Sequence, residues 1–132
     1  MEVRNVRMTG DAEWYALADE EACAVRAALP DILRERLAGL AVTLDPRPTP
    51  DEELQEGDCE ALLGLFVGPS FGEEQEPAET LPPAIRLFVE NLRAEAEDDP
   101  ARFRQEVRTT LLHEIGHYLG LDEEALSERG LA

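Results

Sequence analysis

The chain has 132 residues, 43% of them hydrophobic, and 30 acidic against 12 basic side chains give it a formal net charge of −18. That length and apolar fraction suit one domain over residues 1–132, with a real core and no room for a second. A surface this negative repels phosphate backbones and anionic lipid, which sets aside nucleic acid and membranes as partners.

Lysine is absent, so every side-chain base is an arginine. The acidic excess itself reads as a well-solvated surface and carries no further functional weight. The opening "MEVRNVRMTG" has no apolar core of a signal peptide, and no apolar run approaches the ~20 residues that span a bilayer, so a cytoplasmic location is expected.

The first element predicted is a helix over "DAEWYALADEEACAVRAAL", with Asp11 as N-cap and Trp14, Leu17, Ala18, Val25 and, less regularly, Cys23 near one face. Cys23 is read there as a buried free thiol, the usual state of a helical cysteine, with a disulfide to Cys59 as the alternative; the two match no CxxC pattern. Pro30 ends this helix. "DILRERLAGL" follows as a short second helix stopped near Gly39, then "LAVTLD" as a brief strand, then "PRPTPDEE" as a loop. "ALLGLFVG" is a second candidate strand. Prolines, glycines and glutamates between Pro69 and Pro83 predict a mobile surface loop.

"AIRLFVENL" restarts as a strand over Ala84–Val89 and turns helical through "ENLRAEAED". Pro100 behind Asp98 and Asp99 opens a last long helix, because proline loses nothing at the first helical position. Phe103, Val107, Leu111, Ile115 and Tyr118 recur at helical spacing, with Leu112 and Leu119 widening the stripe, and Gly120 suits the left-handed position that ends a helix. Helices around three short strands imply an α+β domain.

The last helix carries "HEIGHYLG", and its two histidines are the only ones in the chain. His113 and His117, one turn apart, share a face about 40° wide and lie ~6 Å apart along the axis. That spacing lets two imidazole nitrogens meet one zinc ion. Glu114 lies about 100° round from His113, placed to address a water beside the metal and act as general base. Only fifteen residues follow His117, so a ligand from a distant second helix fits poorly. If the pattern continues as HExxHxxGxx and a ligand, Gly120 turns the chain back and the ligand position is Glu123.

"HEIGHYLGLDEE" is similar to the zincin metallopeptidases, and the chain from about Glu13 onward resembles the small bacterial zincin-like group called mini-zincins. "ALPDILRERLAGLAVTLDPRPTPDE", "LLGLFVG" and "LPPAIRLFVENL" leading into "EVRTTLLHEIGHYLGLDEEAL" follow that group's order. The resemblance implies a minimal zincin-like fold, with an active-site helix and backing helices on a small sheet of about three strands. It also implies one Zn2+ and a peptide or protein substrate. Members of that group carry aspartate as the third ligand, in HExxHxxGxxD; this chain has Glu123 there and Asp122 one position earlier. Glu123 is the expected ligand and Asp122 the alternative, while the same acidic run also suits the N-terminus of a short final helix. Met1 and Met8 are the only methionines, so the methionine turn of the metzincins is absent.

Two functions follow from different classes. One is a zinc-dependent peptidase with His113 and His117 as ligands and Glu114 as base. The other is a catalytically silent zincin-fold interaction or metal-binding protein. "GLFVGPSF" offers a sheet edge where a peptide can pair as an added strand, although an ordinary core strand running into a turn is the better reading of it.

Overall fold

The computed structural model describes residues 11–56, 62–68 and 82–120. In chain order these form α1 (Asp11–Ala28), α2 (Asp31–Arg36), β1 (Ala41–Asp45), α3 (Pro50–Glu56), β2 (Gly64–Val67), β3 (Ala84–Phe88), α4 (Val89–Glu95) and α5 (Pro100–Tyr118). The fold is a small α+β arrangement, as the sequence implied. Its sheet has the order β1-β3-β2, with β1 parallel to β3 and β2 antiparallel to it. Val42, Ile85 and Phe66 share one row across the three strands, and Leu44, Leu87 and Gly64 the next but one. Side chains alternate faces along a strand, so these rows point to the same side.

That side is the core. Ile85 and Leu87 are fully buried, and over them lies the α5 stripe Phe103, Val107, Leu111, Ile115 and Tyr118, each at most 2% exposed. From α1 the buried set is Trp14, Ala18, Ala22 and Val25, a run of four-, four- and three-residue steps. Trp14 meets Phe103 edge to face at 4.9 Å and 78°, a geometry that adds about 0.5–1.5 kcal/mol to the area buried. At the margin of this helix pair Arg104 reaches Glu20 at 2.7 Å and Glu21 at 3.3 Å. Arg93 of α4 stacks over the Trp14 ring at 5.0 Å.

Several details differ from the sequence reading. Cys23 is exposed, not buried; the small Ala22 takes the inward position beside it, and one residue of helix turns the thiol about 100° away. Cys59 lies outside the described residues. The expected loop "PRPTPDEE" yields α3 instead, opened by a reciprocal cap: Glu52 N–H donates to Thr49 Oγ1 at 3.2 Å, and Thr49 N–H to Glu52 Oε1 at 2.9 Å. This is a capping box, legible as T-P-D-E. Glu52 also pairs with Arg86, which holds Asp45 at 3.0 Å on the outer face of the sheet. The strand expected over Ala84–Val89 closes at Phe88, and Val89 opens α4. The segment expected as a loop between Pro69 and Pro83 lies outside the described residues up to 81. Among the described residues, no helix is long and apolar enough to cross a membrane.

The turn from α4 to α5 places two non-glycine residues in the left-handed region, Glu97 at φ 56° and Asp98 at φ 61°. Their N–H groups reach back to Ala94 O at 3.0 Å and Arg93 O at 3.1 Å. Arg93 Nε then donates to Asp98 Oδ1 at 2.7 Å, fastening the turn from outside.

Candidate metal centre

The last helix is built as its sequence dictates. Asp99 is the N-cap and accepts from Ala101 N–H at 3.1 Å, and Pro100 occupies the first turn. The buried stripe fixes the rotation of α5 about its axis, and that rotation decides where the polar side chains go. His113 and Glu114 come out half-buried and His117 exposed. Gly120 has φ +79° just beyond the helix, in the left-handed region expected of it.

On this face the Nε2 atoms of His113 and His117 lie 3.0 Å apart, with ring centroids at 4.6 Å and planes at 81°. Two N–H groups cannot face each other at that distance, so at least one ring presents a lone pair there. Glu114 belongs to the same cluster: one ligand atom from each of the three residues lies within 4.8 Å of the others. The three side chains named from the sequence are therefore brought together.

The donor set fits a zinc ion. Two nitrogens at 2.0–2.1 Å from a tetrahedral zinc stand about 3.3 Å apart, so the observed pair needs to open by only about 0.3 Å. Imidazole and carboxylate are ordinary zinc donors, and they also accept other divalent ions. Glu123 and Asp122, the alternative third ligands, lie outside the described residues.

Sequence reasoning missed how the sheet is fitted to this helix. β2 is the outer strand on the side of α5, and Phe66 meets Tyr118 at 5.6 Å. Gly64, in the same strand, comes so close to α5 that a Cβ there would stand 2.6 Å from Thr110 Cγ2. Thr110 precedes His113 by three residues, so Gly64 sets the depth of the helix just before the histidines. A glycine inside the apolar run "LLGLFV" is the available signal, because glycine in a strand marks a close approach.

Residues 37–131 match the family of zincin-like metallopeptidases, and the chain belongs to that family. The matched stretch runs from the end of α2 through the histidines and includes both acidic candidates. It begins later than Glu13, leaving α1 outside it. No curated protein matches the chain.

Proposed function

We propose that this zincin-like metallopeptidase is a zinc-dependent peptidase in which His113 and His117 hold the ion and Glu114 carries the proton. The observation that carries the reading is the 3.0 Å approach of the two Nε2 atoms with the Glu114 carboxylate in the same cluster. Glu123 supplies the third ligand, with Asp122 as the alternative. When bound, zinc supplies a Lewis acid that polarises a peptide carbonyl and brings the pKa of water toward ~7. His113 and His117 would hold the ion through their imidazoles, whose Nε2 atoms already converge, and the buried stripe of α5 keeps their rings on one face. Glu114 accepts a proton from the attacking water and passes it to the amine nitrogen as the C–N bond breaks. Among the described residues β2 has no strand on its outer side, and that edge, packed on α5 through Phe66, offers backbone donors and acceptors along which a peptide can lie extended.

Metal content by elemental mass spectrometry, paired with a peptide-library digest of wild type and Glu114→Gln, tests this. The expected result is near-stoichiometric zinc in both proteins and cleavage by wild type alone. Cleavage retained in Glu114→Gln refutes the assigned base. Zinc in both with cleavage by neither gives the scaffold to the alternative, an interaction or metal-binding protein without turnover. Loss of zinc in Glu123→Ala but not in Asp122→Ala assigns the third ligand, and the reverse pattern transfers it.

A further inference from the structure

The strand packed beside the histidine helix is short. β2 has four residues, Gly64–Val67, and β3 is its one neighbouring strand among the described residues. Its register sorts its backbone groups. Phe88 N–H donates to Leu63 O at 3.0 Å, which carries the ladder one step beyond the pair Gly64 and Leu87. In an antiparallel ladder every second residue turns its N–H and C=O to the same side. Leu63, Leu65 and Val67 therefore face β3, and Gly64 and Phe66 turn their backbone groups outward. These two outward residues bracket the metal centre along α5. Gly64 lies against Thr110, three residues before His113, and Phe66 against Tyr118, one residue after His117.

A strand of four residues at a sheet edge opens from its ends, so what holds those ends matters. At the far end Gly68 has φ +99° and runs so close to Pro83 that a Cβ would stand 2.9 Å from Pro83 Cα. At the entry the chain is tied at two successive carbonyls. Leu63 O belongs to the ladder, whereas Leu62 O lies beyond it and accepts from Asn91 Nδ2 at 2.8 Å. Asn91 is itself half-buried on α4, whose Val89 and Leu92 are sunk in the core. A side chain on an anchored helix, and not a ladder bond, thus fixes where β2 begins.

We infer that Asn91 is a positioning residue for this site. Its amide holds the entry of β2 and so keeps the outward groups of Gly64 and Phe66 aligned beside His113 and His117. The inference rests on the peptidase reading, in which that edge takes an extended peptide, and it names the residue that keeps the edge in place. Asn91 acts through Leu62 and not on the reacting atoms. A carboxylate of the same shape cannot donate to Leu62 O and would set its own lone pairs against it. Pairing along an edge is made alike in the bound peptide and in the transition state, so weakening it raises KM and spares kcat. Gly64 is two residues from Leu62, and one peptide hydrogen bond lost there is worth about two- to tenfold in affinity.

Amide hydrogen exchange by NMR on the full chain supplied with zinc, beside kinetics on a peptide that wild type cleaves, tests this in Asn91→Ala, Asn91→Asp and Asn91→Gln. In the alanine and aspartate variants the Leu65 and Val67 amides should exchange about two- to tenfold faster, while the Leu111 and Ile115 amides of α5 keep their wild-type rates. KM should rise by a similar factor with kcat unchanged. Asn91→Gln, which keeps the donor on a longer arm, should restore part of both. Wild-type rates at Leu65 and Val67 in Asn91→Asp overturn the inference. So does an equal rise at every amide, which marks a general loss of stability. A KM that stays at the wild-type value while β2 exchanges faster overturns the role toward the site. If wild type cleaves no peptide, the peptidase reading fails by itself, and the exchange rates still decide whether Asn91 holds β2.

Discussion

Gly64→Ala tests whether the sheet sets the position of the histidine helix. The new Cβ would stand 2.6 Å from Thr110 Cγ2, 3.4 Å from Arg86 O and 3.5 Å from Leu87 Cδ2. Ordinary carbon–carbon contact is about 3.5–4.0 Å, so only the first approach is impossible, by about 1 Å. Thr110 is 9% exposed on a helix whose neighbouring Leu111 and Val107 are fully buried, which leaves its methyl little room to turn aside. Overpacking of this kind destabilises by about 1–3 kcal/mol. Thr110→Ser removes the obstructing methyl and by itself loses one buried carbon, about 0.8 kcal/mol. In the double variant the alanine methyl occupies that space, so the combined loss should fall about 1–2 kcal/mol short of the sum. Urea unfolding followed through Trp14, the chain's one tryptophan, 1% exposed and packed against α5, reads all three variants. Additive losses in the cycle, or a neutral Gly64→Ala, would show that β2 does not fix the depth of α5.

Three further outcomes follow from other places in the fold. Glu97→Gly should raise stability by up to about 1 kcal/mol, because a left-handed L-residue is strained and the Arg102–Glu97 pair that it gives up is exposed; a lower urea midpoint would count against strain at that turn. Asp99→Ala should lose about 1 kcal/mol by removing the cap of α5, while Asp99→Asn retains most of it. Tyr15 has its pKa raised above 10.0 by burial, then by the carboxylates Glu90, Asp11 and Asp45. The unfolded chain therefore releases this proton first, so the contribution of Tyr15 is intact below about pH 10 and is lost as pH rises through the folded value. Denaturation midpoints measured from pH 8 to 11 should fall less steeply in Tyr15→Phe than in wild type, and equal slopes would dismiss the effect.

The sequence was most readable where structure is local. Asp99, Pro100 and the stripe from Phe103 to Tyr118 announce α5, and since the histidines sit on that one helix, their convergence follows from its pitch. Cys23 was misplaced because two adjacent positions competed for the inward face, and the smaller alanine fits against α5 where the strict stripe runs. The helix α3 was visible in the Thr49–Glu52 spacing but was outweighed by three nearby prolines. The parallel pairing of β1 with β3 depends on contacts between segments some forty residues apart, which no periodicity encodes. Of the left-handed pair, Glu97 gives no sign of such a turn in the sequence, and Asp98, a residue type that tolerates this region, gives only a weak one without a glycine beside it.

The packing of Trp14 on Phe103 has a consequence for how the chain comes together in time. These partners are 89 positions apart (103 − 14), and Arg104 bridges to Glu20 and Glu21 across a similar span. Contacts of such high sequence separation are closed late, after most of the loop entropy has been lost. During synthesis α1 leaves the ribosome long before α5 exists to cover it, so the apolar face of α1 waits uncovered while some ninety residues are added. Trp14 would then shift to its buried emission only when α5 arrives. A stalled nascent chain ending before Phe103 should keep the fluorescence of a solvated indole.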